Sequence, residues 1–86
     1  MNIILIYDIQ EKRVNKIMKI CREYLEHVQN SVFEGEISDS HFKEMVSRIK
    51  NIIDVSFDSV IIYHLWSSNY QKEIIGIAKN NMSNII

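Results

Sequence analysis

Residues 2–9 carry five aliphatic side chains and a Tyr, with no Gly or Pro. The run is rich in β-branched residues and too short to span a membrane, so it predicts a buried strand. It ends in an acid, Asp8, which shares the parity of Ile4 and Ile6 and points to their face of the sheet. A carboxylate at such a position is costly to bury without a partner. It can cap the helix that starts just after it, or it can hold a metal ion. Spacing alone favours the cap and leaves both open.

The pattern then turns helical. Gln10, Glu11, Lys12 and Arg13 form a charged turn, with Glu11 suited to the positive end of a helix dipole. Val14, Ile17, Met18, Cys21, Leu25 and Val28 recur at helical spacing. Residues 27–37 switch to an extended pattern, either one bent strand or two short ones broken near Asn30 and Ser31. Gly35 within it suggests a bulge or a close backbone approach. Ser38 is placed to N-cap a second helix, with Ile37 and Phe42 at the staple positions around it. Phe42, Met45, Val46, Ile49, Ile52 and Ile53 form its apolar stripe. Residues 58–66 read as a second strongly apolar strand, 67–69 as a turn and 72–78 as a further strand. Residues 80–86 read as a polar tail with an apolar tip at Ile85 and Ile86, following a domain at 1–79.

The order is strand, helix, strand region, helix, strand, strand. Two amphipathic helices cover one face of a sheet. Residues 3–7 and 60–63 are apolar on both parities, so the second face must also be buried. The simplest cover is a second copy, which gives a two-fold dimer with facing sheets.

Composition narrows the picture without adding chemistry. The chain has 86 residues, 47% hydrophobic and 24% charged, enough for one globular domain with a modest core. With no Pro and two Gly there is no sign of a linker or a second domain. The formal net charge of −1 argues against a strongly basic nucleic-acid binder but leaves room for a basic face. A single Cys excludes an internal disulfide and fits a reducing cytoplasm. The N-terminus has neither the basic region nor the cleavage site of a signal peptide, and no apolar run approaches a membrane span.

Candidate chemistry is sparse. Arg13, Lys16, Lys19 and Arg22 lie three apart, off the apolar stripe, and form either a solvated face or a phosphate-binding one. His27, His41, His64 and Cys21 lack metal-ligand spacing. Cys21 reads as a core thiol, His64 as a satisfied strand His, and Met18, Met45 and Met82 as filler. There is no Gly-rich phosphate loop and no nucleophile elbow.

Tyr7, Asp8 and Ile9 at a strand end are followed by Arg13 and Lys16. Then come Val28, Gln29, Asn30, Ser31, Val32, Phe33, Glu34, Gly35 and Glu36, and later Asp58, Ser59, Val60, Ile61, Ile62 and Tyr63. On these residues the chain resembles, end to end, the small CRISPR-associated nuclease-fold proteins of spacer acquisition, the non-catalytic partners of the adaptation integrase. The resemblance implies a ferredoxin-like α+β sandwich, an antiparallel sheet with two helices on one face, and a sheet-to-sheet homodimer. It implies that Asp8 is the metal-binding acid, with Mg²⁺ or Mn²⁺ as the ion, and that two copies of it meet near the dimer axis. Tyr7, Arg13 and Phe33 fall on positions tied to the family's nuclease activity. Members are described as endoribonucleases on single-stranded RNA, and some as nucleases on double-stranded DNA. Their role in adaptation is to bridge integrase dimers and hold the incoming duplex, with the C-terminal segment adding to a partner's sheet edge or the integrase. Many members carry Arg where this chain has His27, so a phosphate contact there is weaker and depends on protonation. The expectation is a cytoplasmic, metal-dependent endonuclease of CRISPR adaptation. The alternatives are a toxin-like RNA-cleaving protein of the same fold and a nucleic-acid scaffold without catalysis.

Overall fold

The computed structural model describes residues 1–78. The tail expected at 80–86, with Met82 and the apolar tip, lies outside the described residues, as does the last residue of the domain expected at 1–79. The elements are β1 (Asn2–Asp8), α1 (Glu11–Tyr24), β2 (Glu26–Gln29), β3 (Val32–Glu36), α2 (Asp39–Lys50), β4 (Ser59–Trp66) and β5 (Asn69–Gly76). The strands form one sheet in the order β2-β3-β1-β4-β5, and each neighbouring pair is antiparallel. Two βαβ halves interleave so that β1 and β3 lie at the centre of the first four strands, which is the ferredoxin-like α+β arrangement.

Strand alternation divides the apolar residues between two faces. Ile3, Leu5 and Tyr7 of β1, Phe33 of β3, Val60 and Ile62 of β4 and Ile75 of β5 face the helices. They form one buried core with Ile17, Ile20 and Cys21 of α1 and Met45, Val46 and Ile49 of α2. The other face has no cover among the described residues. In register it carries Ile4 opposite Tyr63, and Ile6 between Val32 and Ile61. Ile74 and Tyr70 continue it on β5, opposite Ile61 and Leu65. Tyr70 is exposed, and Ile74 and Leu65 are also open to solvent.

Several boundaries differ from the periodicity. α1 stops at Tyr24, and Leu25 turns extended as its C-cap. Val28, which matches the helical spacing, is an exposed residue of β2 instead. Leu25 remains in the core because β3 presents a glycine to it: a Cβ on Gly35 would lie 3.4 Å from Leu25 Cδ2. Gly35 therefore marks a close approach, and the bulge falls in β2 between His27 and Gln29. The extended region is two strands, broken by a turn in which Asn30 takes φ 40°. Ser38 caps α2 as expected, its Oγ accepting from the His41 amide at 3.2 Å. β5 starts at Asn69, earlier than the apolar pattern suggests, because its first half is exposed and polar.

Candidate active site and nucleic-acid surface

Asp8 ends β1 on the open face of the sheet. It is exposed, it shares that face with Ile4 and Ile6, and it is paired in register with Ser59 of β4. Asp8 is not the helix cap that spacing favoured. The N-cap residue of α1 is Gln10, which makes no side-chain capping bond. The carboxylate that does reach the helix entrance comes from far along the chain: Asp58 Oδ1 accepts from the Gln10 amide at 3.0 Å.

Tyr7 and Phe33 lie on the opposite face from Asp8. Tyr7 is 6% exposed and Phe33 is fully buried, with ring centroids 6.1 Å apart. Burial pushes the Tyr7 hydroxyl above its ordinary pKa; nearby Cys21 adds to this and Arg22 opposes it. His27 stacks on Phe33 with centroids 4.4 Å apart and donates from Nε2 to the Asn30 carbonyl at 2.7 Å. The Tyr7 amide donates to the Ser31 carbonyl at 3.1 Å, which ties the end of β1 to the β2–β3 turn. A Phe with no exposed surface offers no face to a substrate base. In this arrangement Tyr7 and Phe33 support the strand end from inside, and of the pair Tyr7 and Asp8 it is Asp8 that is open to solvent.

Arg13 is tied to a buried carboxylate. Its Nε donates to Asp58 Oδ2 at 2.5 Å, and Nη2 donates to Asp58 Oδ1 at 3.1 Å and to Gln10 Oε1 at 2.7 Å. The Arg13 side chain is 14% exposed and the Asp58 side chain 0%. Burial pushes the Asp58 carboxyl up, but the Arg13 guanidinium and the Gln10 and Asp54 amides outweigh it and hold the pKa down at about 2. Asp58 also anchors its own loop, since the Asp54 amide donates to Oδ2 at 2.9 Å. Its backbone carbonyl accepts from the Ile77 amide at 2.9 Å. Gly76 packs against that carbonyl at φ +94°, where a Cβ would lie 2.2 Å from the oxygen. Sequence reading placed Asp58 at the start of an apolar strand and missed this role. A signal was there, an acid heading an apolar strand, but nothing local names its partner.

The four basic residues of α1 do not form one straight stripe. At 3.6 residues per turn, the nine residues from Arg13 to Arg22 place the two on opposite sides of the helix, about 180° apart. Arg13 turns to Asp58, and Arg22 is exposed on the other side, near enough to Tyr7 for its charge to oppose the rise in the Tyr7 pKa. Lys16 and Lys19 are exposed beside α2, where with Glu23, Arg48 and Asn51 they line a shallow groove between the helices. Arg48 is committed there to Glu23 through two contacts of 2.8 Å and to the Tyr24 hydroxyl at 3.1 Å. The remaining candidates are structural. Cys21 is buried, which pushes its thiol to about 12, and His64 Nε2 lies 3.2 Å from Glu73.

Among the described residues, no group of three or more His, Cys, Asp or Glu side chains in one chain could hold a metal ion. Asp8 supplies one exposed carboxylate. A hard oxygen donor of this kind suits Mg²⁺ or Mn²⁺, which bind through one or two carboxylates and keep several waters.

Residues 1–73 match the family model for CRISPR associated protein Cas2. Over 86 residues, covering 100% of both chains, the sequence is 46% identical to a protein of Pyrococcus furiosus named CRISPR-associated endoribonuclease Cas2. A protein of the same name from Dictyoglomus turgidum is 40% identical over 87 residues, again across 100% of both chains. Among solved structures, a crystal structure of a Cas2 aligns with TM-score 0.74 and 39% identity, covering 93% of this chain and 91% of that one. Streptococcus pyogenes Cas2 aligns with TM-score 0.71 and 32% identity, covering 79% and 89% respectively.

Proposed function

The chain belongs to the CRISPR-associated Cas2 family, and on that premise we propose that it is a divalent-metal-dependent endoribonuclease of CRISPR adaptation that works as a face-to-face homodimer. The observation that carries this reading is the open sheet face. Ile4, Ile6, Val32 and Tyr63, set around a buried Ile61, form a continuous apolar surface, and Asp8 sits on the same face at the end of its central strand. Pairing two such faces about a two-fold axis covers the apolar surface and brings the two Asp8 carboxylates toward one another. Two like charges so placed repel, and a shared cation relieves that repulsion. Mg²⁺ or Mn²⁺ held by the pair would polarise a phosphodiester and lower the pKa of a bound water. Asp8 is the residue that would hold the ion, and the buried Tyr7 and Phe33 fix the strand end from which it projects.

A separate surface favours a scaffold role beside the integrase. Lys16 and Lys19 are exposed on α1, which covers the opposite face of the sheet from Asp8. Symmetry doubles them, and paired lysines can grip the phosphates of double-stranded DNA without reading sequence. Gripping and cleaving thus lie on different faces and are separable by mutation.

The test incubates the purified protein with single-stranded RNA and with double-stranded DNA, in Mg²⁺, in Mn²⁺ or in chelator, beside Asp8→Asn. The expected result is RNA cleavage that needs the divalent ion and is lost in Asp8→Asn, which retains the dimer, duplex binding and spacer integration with the integrase. Cleavage that persists in chelator or in Asp8→Asn overturns the metal reading. Growth arrest on expression without any CRISPR partner would favour the toxin-like alternative.

A further inference from the structure

We infer that Arg13 and Asp58 act as one unit that positions Asp8, so that Asp58 is a positioning residue for cleavage and Arg13 works through it rather than by contacting the substrate phosphate. This rests on the reading of Asp8 as the metal-binding acid. Three of the five N–H donors of a guanidinium are spent within the protein, two on Asp58 and one on Gln10, and the Arg13 side chain is 14% exposed. A guanidinium bound side-on to a buried carboxylate is poorly placed to hold a phosphate as well, because leaving would strand the Asp58 charge without its partner.

The geometry also shows what the unit holds. Asp58 is followed by Ser59, which pairs in register with Asp8. Its carboxylate takes the amide of Gln10, two residues after Asp8. The segment 8–10 is therefore fastened at both ends to consecutive residues, 58 and 59. Asp58 in turn is held by the Asp54 amide, by Arg13 from the first turn of α1, and by the Ile77 amide on its carbonyl. Gly76 leaves no space for that carbonyl to shift. Four chain segments thus meet at Asp58, and the strand end that carries Asp8 is one of them. A metal-binding carboxylate must be held to within a fraction of an ångström of its working geometry, and residues behind it set that geometry.

The experiment compares Arg13→Gln, Asp58→Asn and the double variant with wild type, with Asp8→Ala and Lys16→Gln as references. Three readouts are taken: kcat and KM for single-stranded RNA in Mg²⁺, affinity for RNA and for duplex DNA against salt in chelator, and Mn²⁺ affinity by direct titration. Arg13→Gln and Asp58→Asn are each expected to lower kcat at least tenfold and to weaken Mn²⁺ binding, with KM within twofold and the salt slope of RNA binding unchanged. The double variant is expected to be no worse than the more impaired single one, since removing either partner already breaks the unit. Lys16→Gln, on the face assigned to duplex DNA, should flatten the salt slope of duplex DNA binding and leave Mn²⁺ affinity intact. If Arg13→Gln raises KM and flattens the salt slope while Asp58→Asn leaves kcat and Mn²⁺ affinity unchanged, Arg13 is a phosphate ligand and the inference falls, with the role of Asp8 untouched. If Asp8→Ala cleaves and binds Mn²⁺ as wild type does, the reading of Asp8 falls and takes this inference with it. Should Asp58→Asn fail to fold by circular dichroism, Arg13→Lys, which keeps a cation beside Asp58 but cannot make the side-on pair, decides the matter with the same readouts.

Discussion

Four hydrogen bonds from N–H groups converge on the Asp58 carboxylate, two from Arg13 and one each from the Gln10 and Asp54 amides. Burial alone would raise its pKa, yet these partners hold it at about 2. A carboxyl depressed in the folded state contributes its full stabilisation above its ordinary value near 3.8 and loses it as pH falls through the folded value. Asp58→Asn is therefore expected to cost roughly 3 kcal/mol near neutral pH, the order found when a buried pair loses one member. The gap in melting temperature between wild type and Asp58→Asn should close as pH falls from about 4 to about 2. A gap that stays constant over that window would show that the ionised form of Asp58 is not what stabilises the fold. None of this was legible in the sequence. Asp58 is separated from Arg13 by 45 positions and from Gln10 by 48, and periodicity carries no information over such distances. Asp8 was legible as an acid on the face of Ile4 and Ile6, because strand parity is a local property. Its choice between capping the helix and holding a metal ion was not, because the helix entrance is taken by Asp58.

Among the elements, α2 was the most readable, with a capping Ser38 and Phe42, Met45, Val46 and Ile49 packing where periodicity puts them, although Ile52 and Ile53, which fit the same stripe, lie past its end at Lys50 and pack on the core from there. α1 was readable in its apolar side but not in its end. Val28 fits the helical spacing, and only the contact between Leu25 and Gly35 shows that the chain has already turned. The basic side of α1 shows how spacing misleads. Residues three apart look like a stripe in one dimension and spiral around the helix in three. Lys16 and Lys19 are exposed together beside α2 and Arg22 is exposed apart from them, while Arg13 is taken by the Asp58 carboxylate. Reversing both lysines to Glu should weaken duplex DNA binding and reduce the salt slope by about 4 per dimer, close to one unit for each of the four lysines that no longer neutralise a phosphate. Titration of binding affinity against salt checks this, and an unchanged slope would mean that the pair is only a solvated face.

At the scale of the whole molecule, the second apolar face followed from counting layers: two helices, one sheet and strands apolar on both parities. The fold shows that face uncovered among the described residues, with Ile4, Ile6, Val32, Ile61 and Tyr63 contiguous in register. An interface built on it should bury on the order of 2,000 Å² in total, in the range of obligate dimers. Sedimentation at micromolar concentration should give twice the chain mass of 10.2 kDa, and Ile6→Lys should return it to the monomer mass. A wild-type monomer at that concentration would remove the basis for a shared site. The claim that two Asp8 carboxylates make one site is tested most directly by mixed dimers. Wild type and Asp8→Asn are refolded together in varied proportion, so that subunits pair at random, and Mg²⁺-dependent RNA cleavage is measured per total protein. If both carboxylates are needed, activity follows the square of the wild-type fraction and falls to about one quarter at equal mixing. Activity that falls in simple proportion, to about one half, would contradict a shared site and assign each Asp8 an independent one.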